Sequence, residues 1–349
     1  MRVLIAEDDE ALARFVRQGL EGEHYAVDVF PDGEQARNAA GENEYDIVIL
    51  DLNLPKLDGV NVLRQLRLKK PSLPVLVLTQ RNRVEDRVQC LDLGADDYVP
   101  KQLSSTSLDI LHIRADLIAK IRAAARARNS HPAGTLPKKP PRFSESACGN
   151  AISTSAAIIA LGTSTGGPKA LQEILPRLPR DLSVPILIVQ HMPLGFTAPF
   201  AQRLNSLCSV TVHEAAHQEP VQPGVIYIAP AGKHMTVERP SDSLSWICLD
   251  TQPQNCLHMP SVDIMMKSVA RNFGTSAMGI IMTGMGSDGA DGMRAIHHAG
   301  GVTVGQDEAS CIVYGMPRAC AELGILNRVV PLAQIPAQIL QATNYRKRA

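Results

Sequence analysis

Two residues that could do chemistry each stand at the end of an apolar run. Asp51 closes the run Asp46-Ile-Val-Ile-Leu-Asp51, and Ser164 lies in Leu161-Gly-Thr-Ser-Thr-Gly-Gly167, where another apolar run ends. A carboxylate displayed at a strand end could accept a phosphoryl group, whereas a displayed hydroxyl could attack a carbonyl carbon. The pair therefore suggests an enzyme whose nucleophile is switched by phosphorylation of a neighbouring domain.

Acidic, hydroxyl and ammonium side chains also follow the other apolar runs of the first third of the chain. Asp8 and Asp9 come after the first run, Thr79 after the fourth and Lys101 after the fifth. If these runs are strands of one open parallel sheet, their polar residues meet at its C-terminal edge. Crowded carboxylates need a cation, and Mg²⁺ suits both oxygen ligands and phosphoryl chemistry. The alternative is that each Asp caps the helix after its strand.

A second site would use a serine nucleophile. Gly162-Thr-Ser-Thr-Gly166 fits the G-x-S-x-G pattern, a tight strand-to-helix turn that exposes the Ser hydroxyl. Ser164 would need a base near neutral pH, and His191 stands directly after an apolar run. Asp288, in a glycine-rich segment after a further run, could orient that histidine. This Ser–His–Asp order differs from the Ser–Asp–His order of α/β-hydrolases, and a Gly/Ser loop could instead cradle phosphate.

Four further residues compete for places in the second site. His234 ends Pro230-Ala-Gly-Lys-His234 and could line the cleft. His258 opens His258-Met-Pro-Ser-Val-Asp263 and could bind substrate or serve structure. Asp263 and Asp291 are alternatives to Asp288 as the orienting acid. The sequence leaves these assignments open.

Apolar runs alternate with amphipathic stretches along residues 1–124, which predicts helices that cross over between parallel strands. The predicted strands are 3–6, 26–30, 47–50, 75–78 and 97–99. The predicted helices are 11–21, 33–40, 59–69 and 84–93. Five such units indicate a flavodoxin-like doubly wound fold.

The character of the chain changes over residues 125–155, where Pro, Gly, Ser and basic residues replace the apolar runs. This composition predicts a mobile linker; the alternative is a basic tail for nucleic acid. The alternation resumes over 156–345, with strands predicted at 157–161, 185–189, 224–228, 278–282 and 301–304. We therefore predict an α/β protein with two doubly wound parallel-sheet domains, one flavodoxin-like and one Rossmann-like, joined by a flexible linker.

Composition narrows the class of protein. The chain has 349 residues, 45% of them hydrophobic and 20% charged, which predicts two or three domains with cores of their own. Lys plus Arg and Asp plus Glu number 35 each, so charge gives no reason to expect nucleic acid or membrane as a partner. The 7 Cys residues include no C-x-x-C, which indicates reduced thiols. With no signal peptide or apolar stretch of about 20 residues, we expect a cytoplasmic protein.

The first domain resembles a response-regulator receiver domain. The resemblance rests on Glu7-Asp-Asp9, Leu50-Asp-Leu-Asn-Leu-Pro-Lys-Leu-Asp-Gly59, Thr79 and Gly94-Ala-Asp-Asp-Tyr-Val-Pro-Lys101. The family usually has Lys-Pro where this chain has Lys101-Gln102.

The resemblance to receivers implies roles for these residues. A partner histidine kinase would phosphorylate Asp51, and Tyr98 would reorient together with Thr79. Lys101 would hold the new phosphoryl oxygens. The implied Mg²⁺ ligands are the carboxylates of Asp8, Asp9 and Asp51 and the carbonyl of Asn53.

The second domain resembles the chemotaxis methylesterase family, CheB. Five motifs carry the resemblance: Leu161-Gly-Thr-Ser-Thr-Gly-Gly-Pro168, Val189-Gln-His-Met-Pro193, Ala229-Pro-Ala-Gly-Lys-His234, His258-Met-Pro-Ser-Val-Asp263 and Thr283-Gly-Met-Gly-Ser-Asp-Gly289. They imply a Ser164 nucleophile, a His191 general base and an Asp288 orienting acid. The Met285 backbone N–H, with Thr165 nearby, would stabilise the oxyanion.

The CheB resemblance also implies a substrate and a form of regulation. The enzyme would hydrolyse γ-glutamyl methyl esters, and deamidate certain glutamines, on the cytoplasmic helices of methyl-accepting chemoreceptors during chemotaxis adaptation. It would need no cofactor for the esterase reaction and would act as a monomer. The unphosphorylated receiver would cover the esterase cleft, and phosphorylation would shift the population toward an open arrangement.

Two other functions stay open at this point. The chain could be a receiver-controlled binding module without turnover, in which case Ser164→Ala would keep its full cellular effect. It could also be a DNA-binding response regulator, supported only by the basic residues of the linker. Salt-sensitive DNA binding would be the mark of that function.

Overall fold

The computed structural model describes residues 1–22, 24–71, 73–79, 90, 93–101, 156–241, 244–254 and 256–345. The chain divides into two compact units, Met1–Arg128 with Ser164–Leu171, and Asn129–Thr163 with Gln172–Ala349. The predicted linker and nearly all of the helix predicted over 84–93 lie outside the described residues.

The first unit is built on a five-stranded sheet whose paired strands are all parallel. Its strands are β1 (Arg2–Ala6), β2 (Ala26–Phe30), β3 (Ile47–Asp51), β4 (Val75–Thr79) and β5 (Asp97–Pro100). Its helices are α1 (Glu10–Glu21), α2 (Gly33–Glu42) and α3 (Gly59–Lys69). The strand order β2-β1-β3-β4-β5 confirms the flavodoxin-like fold predicted from the sequence.

Local sequence explains where these helices begin. The carboxylates of Asp9, Asp32 and Asp58 accept hydrogen bonds from the first backbone N–H groups of α1, α2 and α3. Gly59 is required at the start of α3, because a Cβ there would lie 2.0 Å from the backbone oxygen of Asp51. The close contact fixes the end of β3, where Asp51 stands.

The second unit is built on a seven-stranded parallel sheet ordered β15-β14-β13-β6-β7-β10-β8. Its parallel strands are β6 (Ile158–Thr163), β7 (Ile186–Gln190), β8 (Thr211–Glu214), β10 (Val225–Ile228), β13 (Ala277–Ile281), β14 (Val302–Gln306) and β15 (Arg328–Val330). The helices described between residues 156 and 345 are α4 (Gly167–Ile174), α5 (Thr197–Leu207), α6 (Val262–Phe273), α7 (Ala290–His298), α8 (Met316–Glu322) and α9 (Ile335–Ala342). Short 3₁₀ turns lie at 175–177, 274–276 and 332–334.

An antiparallel sheet, not predicted from the sequence, accompanies the parallel one. It consists of β9 (Glu219–Pro220), β11 (His234–Ser241) and β12 (Leu244–Asp250) in the order β11-β12-β9. Met235, Val237 and Ile247 bury their side chains in the main core of the unit, which also contains Met265 of α6 and Ile158 of β6. The domain is therefore a doubly wound α/β sheet with an added antiparallel layer.

The helices in the described part of the chain share one further property. None is both long and apolar enough to cross a membrane.

Candidate functional sites

Three carboxylates meet at the C-terminal edge of the first sheet. Glu7 and Asp8 directly follow β1, and Asp51 is the last residue of the neighbouring β3. Each offers a carboxylate oxygen, and these oxygens all lie within 4.8 Å of one another. An all-oxygen set at this spacing suits a hard divalent cation such as Mg²⁺.

Lys101, the first residue after β5, brings a positive charge to this acid cluster. Its Nζ lies 2.7 Å from Asp51 Oδ2 and 2.6 Å from Glu7 Oε2. Burial and the Asp51 charge raise the pKa of Glu7 to about 7, even though Lys101 opposes the shift. Burial also disfavours the charge of Lys101, but its hydrogen bonds to Asp51 and Glu7 outweigh this effect and raise its pKa.

The structure gives Asp9 a different place from the predicted one. Its Oδ1 accepts hydrogen bonds from the backbone N–H groups of Ala11 and Leu12, at 2.9 and 3.0 Å. Asp9 thus caps α1, and Glu7 stands in the acid cluster instead. The capping rule could have separated them, because Asp9 immediately precedes the helix whereas Glu7 immediately follows the strand.

The other residues predicted for the receiver site lie within the strands or shortly after them. Asn53 follows β3, and its N–H donates to Asp51 Oδ1 over 3.2 Å. Thr79 is the last residue of β4, and Tyr98 is in β5. The side chains of Thr79 and Tyr98, like residue Gln102, lie outside the described part of the structure.

The G-x-S-x-G segment forms a tight turn between β6 and α4. Ser164 is the first residue after β6, and its carbonyl accepts a 2.8 Å hydrogen bond from Gly167 N–H. Gly166 has a positive φ of 79°, which the turn requires. Gly162 has another reason to be glycine: a Cβ there would lie 2.3 Å from Cγ1 of Val262. Because Gly162 has no side chain, the start of α6 packs directly against β6.

His191 and Asp288 form a direct side-chain pair in the second unit. His191 follows β7, and Asp288 lies in the loop between β13 and α7. His191 Nε2 is 2.8 Å from Asp288 Oδ2. β6 lies between β7 and β13, and His191 N–H donates to the Thr163 carbonyl over 3.1 Å. Strand order thus places His191, Asp288 and the Thr163 end of β6 at one edge of the sheet.

The Asp288 carboxylate is also held by the N-terminus of α6. It accepts hydrogen bonds from Ser261 Oγ at 2.9 Å, Val262 N–H at 2.8 Å and Asp263 N–H at 3.0 Å. Burial alone would raise the pKa of Asp288, but the hydrogen bond and charge of His191, with the backbone donors, hold this pKa well below its usual range. The helix N-terminus thus favours a carboxylate that keeps its negative charge.

The second ring nitrogen of His191 has a different environment. Its Nδ1 is buried and has no hydrogen-bond partner within the described residues. With an ionised Asp288 accepting at Nε2, the proton of a neutral imidazole is assigned to Nε2, and the lone pair to Nδ1. His191 therefore offers a bare nitrogen able to accept a proton.

The loop that carries Met285 is fixed by neighbouring backbone. Gly284 N–H donates to the Val313 carbonyl, and Gly315 N–H donates back to the Gly284 carbonyl, at 3.0 and 3.1 Å. Gly315 comes so near that a Cβ there would lie 3.2 Å from Met285 Cα. Met285 is half-buried in this loop, and Thr165 is buried in the turn after β6.

The other candidate residues have structural partners. Asp263 Oδ1 accepts from Gly289 and Gly292 N–H at 3.0 and 2.7 Å, and burial raises the Asp263 pKa. Asp291 is exposed and pairs with Arg294 at 3.2 Å. His234 is buried between two backbone groups, whereas the His258 ring stacks on that of His191. Ser261 was not singled out from the sequence, although its position before an apolar helix is typical of an N-cap.

Comparison with known proteins identifies the families that the two halves of the chain resemble. Residues 159–339 match the family model described as CheB methylesterase, and residues 3–111 match that of the response regulator receiver domain. The "Protein-glutamate methylesterase/protein-glutamine glutaminase" of Bordetella bronchiseptica is 40% identical over 343 residues, covering 97% of this chain and 96% of the relative. Its counterpart from Geobacter sulfurreducens, numbered 1, is 37% identical over 350 residues, with 97% and 96% covered.

A solved structure is similar to the second unit. The crystal structure of the Thermotoga maritima CheB methylesterase catalytic domain is 36% identical, with a TM-score of 0.52, and the match covers 54% of this chain and 99% of that chain. Family models and full-length relatives thus agree over both halves. The chain belongs to the CheB methylesterase family and carries a response-regulator receiver domain ahead of its methylesterase domain.

Proposed function

We propose that this protein is a protein-glutamate methylesterase and protein-glutamine glutaminase in which Ser164, His191 and Asp288 form the catalytic triad. The observation that carries the proposal is the state of His191. Asp288 holds its Nε2, while its buried Nδ1 has no partner among the described residues. A buried nitrogen with an open lone pair is what a general base for a serine nucleophile needs.

The proposed reaction begins with proton transfer. Nδ1 of His191 takes the proton of the Ser164 hydroxyl as Oγ attacks the ester carbonyl carbon, forming a tetrahedral oxyanion. The ionised Asp288 stabilises the resulting imidazolium through Nε2. The Met285 backbone N–H, with Thr165 nearby, would hold the oxyanion. One such donor lowers the activation free energy by about 3–4 kcal/mol.

The intermediate then collapses in two stages. His191 returns the proton to the leaving methoxide, so methanol departs and Ser164 carries a glutamyl ester. Water attacks this ester with His191 again as base, which releases glutamate and regenerates the hydroxyl. A glutamine side chain would follow the same course with ammonia leaving. The names of the relatives support glutamate methyl esters and glutamines of a protein as substrates. Because the chain belongs to the CheB family, the proposed protein substrates are methyl-accepting chemoreceptors, within chemotaxis adaptation.

We further propose that the receiver half controls this reaction. A chemotaxis-type histidine kinase would phosphorylate Asp51, with Lys101 binding the phosphoryl oxygens and Thr79 and Tyr98 relaying the change. Glu7, Asp8 and Asp51, with the Asn53 carbonyl, would hold Mg²⁺. Bound there, Mg²⁺ would neutralise the charge of the phosphoryl group during transfer.

The domain boundaries proposed for this arrangement are 1–124 for the receiver, 125–155 for the linker and 156–345 for the esterase. The protein would work as a monomer in the cytoplasm, where the substrate helices of chemoreceptors are found.

The test is methanol release from a methylated chemoreceptor, with and without Mg²⁺ and a small-molecule phosphodonor. We expect wild-type release that rises with phosphodonor, none with Ser164→Ala, and basal but unresponsive release with Asp51→Asn. Ser206→Ala is the matched control, because that serine is exposed in α5 and its hydroxyl donates to the Arg203 carbonyl of its own helix. Wild-type and Ser164→Ala proteins with equal release would refute the proposed nucleophile.

A further inference from the structure

The imidazole of His191 has a second contact besides Asp288. The ring of His258 lies parallel to it, with 4.1 Å between ring centroids and an interplanar angle of 20°. A hydrogen bond at Nε2 fixes the ring at one atom only. The stacked ring restrains rotation of the plane about that atom, since tilting would drive the two rings together.

The loop that carries His258 is itself anchored at both ends. It runs from the end of β12 at Asp250 to the start of α6 at Val262. His234, on β11, joins its two ends: Nε2 lies 3.1 Å from the Pro253 carbonyl, and Nδ1 accepts from Ser261 N–H over 3.2 Å. His234 is 1% exposed, so both contacts are sheltered from water.

A third anchor lies beside His258. The Met259 carbonyl accepts a 3.1 Å hydrogen bond from Gly232 N–H, in the turn before β11. His258 thus stands on a loop held by β11 and its preceding turn. The same loop ends in Ser261, whose hydroxyl donates to Asp288. One segment therefore supports both the ring face of His191 and its carboxylate partner.

We propose that His258 is a positioning residue, which holds the plane of the His191 ring so that the Nδ1 lone pair keeps its direction. This inference rests on the proposed role of His191 as general base. The lone pair lies in the ring plane, so a tilt of the ring turns it away from the serine hydroxyl. A displacement of about 1 Å at a reacting group can lower a rate by about 100-fold.

The experiment compares His258→Ala with His258→Phe in the full-length protein. His258→Ala removes the stacked face, and we expect kcat to fall by about 10- to 100-fold while KM changes less than about twofold. His258→Phe keeps an aromatic face without a titratable nitrogen and should restore most of kcat. His298→Ala is the matched control, because that histidine is exposed at the end of α7 and should leave kcat unchanged.

A second readout does not depend on turnover. The proton between His191 Nε2 and Asp288 should give a downfield NMR resonance, which we expect to broaden or shift in His258→Ala and to persist in His258→Phe. A His258→Ala protein with wild-type kcat and an unchanged resonance would overturn the inference. A His258→Phe protein as impaired as His258→Ala would also overturn it, since the ring would then act through its nitrogens.

Failure of the proposed function has a separate signature. Wild-type protein without Ser164-dependent methanol release would refute the esterase, and the resonance would still decide whether His258 orders the His191 ring. Thermal unfolding of each variant shows whether the protein is folded at the assay temperature. If His258→Phe is unfolded at the assay temperature, His258→Tyr replaces it, with the same restored kcat expected. If His258→Ala is unfolded, His258→Leu replaces it, because leucine fills space without an aromatic face and the same loss of kcat is expected.

Discussion

At the scale of single residues, Asp288 accepts most of the hydrogen bonds described at the proposed esterase site. Its carboxylate accepts hydrogen bonds from His191, Ser261 and two backbone N–H groups at the start of α6. Asp288→Asn keeps the shape of the side chain but removes its negative charge. The amide NH₂, itself a donor, would then face groups that donate to Asp288 in the wild type. We expect kcat to fall on the order of 10²- to 10⁴-fold, because the imidazolium loses its partner. An Asp288→Asn protein within twofold of wild-type kcat would contradict this role.

The lowered pKa of Asp288 also predicts how stability depends on pH. The usual carboxyl value is 3.8, and the folded-state value is lower. Folding therefore favours the ionised form, whose contribution is complete above about pH 5 and is lost as the pH falls through the folded pKa. The gap in unfolding free energy between wild type and Asp288→Asn should shrink by about 1 kcal/mol per pH unit below pH 4. Denaturant titrations at pH 3 to 7 measure it, and a constant gap would exclude this linkage.

Glu7 and Asp9 show where a sequence pattern can mislead at this scale. Both belong to the acidic run after β1. Residue type alone does not say which of the two side chains points towards the edge of the sheet. The structure separates them, since Asp9 caps α1 while Glu7 contacts Lys101. The direction of each side chain depends on where the strand ends and the helix begins, and a run of four acids does not define either point.

This separation predicts opposite outcomes for two variants. Asp9→Ala should lower the unfolding free energy of the receiver by about 1 kcal/mol through loss of the cap, with little change in Mg²⁺ affinity. Glu7→Gln should weaken Mg²⁺ binding, because one of the three clustered carboxylates loses its charge. Mg²⁺ titration calorimetry and denaturant unfolding distinguish the two. Loss of Mg²⁺ binding in Asp9→Ala but not in Glu7→Gln would reverse the assignment.

At the scale of elements, the parallel strands were predictable and the antiparallel ones were not. Strands β6 and β7 are continuous apolar runs buried on both faces, and their predicted positions agree with the structure to within two residues. Strands β11 and β12 bury few of their side chains, namely His234, Met235 and Val237 in β11 and Ile247 in β12, and most of their other residues are polar. Their pairing also depends on long-range contact with the core around α6, which local periodicity does not report.

The contact between β6 and α6 gives a prediction at the same scale. Gly162→Ala would place a Cβ 2.3 Å from Val262 Cγ1, so the start of α6 must shift. We expect a loss of about 1–3 kcal/mol in unfolding free energy. A lower kcat should accompany it, because Ser261 and Val262 move away from Asp288.

A paired variant supplies the control. Val262→Ala removes both Cγ atoms that the new methyl group would meet, so Gly162→Ala/Val262→Ala should recover part of the kcat lost in Gly162→Ala. Calorimetric melting and methanol release measure the two effects. Strictly additive losses in the double variant would show that this contact does not couple β6 to the site.

At the scale of the whole molecule, the two sheets place their candidate functional residues in the same way. Each unit displays its chemical residues just past the C-terminal ends of parallel strands, where loops and helix N-termini gather polar groups. In the first unit the gathered groups are carboxylates and an ammonium, which suit phosphoryl chemistry. In the second they are an imidazole and a carboxylate, and Ser164 directly follows β6 of the same sheet; this set of groups suits acyl transfer. The proposed phosphorylation site, Asp51, and the proposed nucleophile, Ser164, thus lie at the ends of strands of separate sheets, so either residue can be substituted without altering the other sheet.

Regulation by inhibition makes a quantitative prediction for this two-domain chain. If the unphosphorylated receiver restrains the esterase, removing residues 1–150 should raise basal methanol release. Phosphorylation can only shift the population toward the unrestrained state, so full-length protein with phosphodonor should reach at most the rate of the fragment. The fragment is expected to fold, since the similar Thermotoga maritima structure consists of a catalytic domain. A phosphorylated full-length rate well above that of the folded fragment would mean that the receiver activates the esterase directly rather than releasing it.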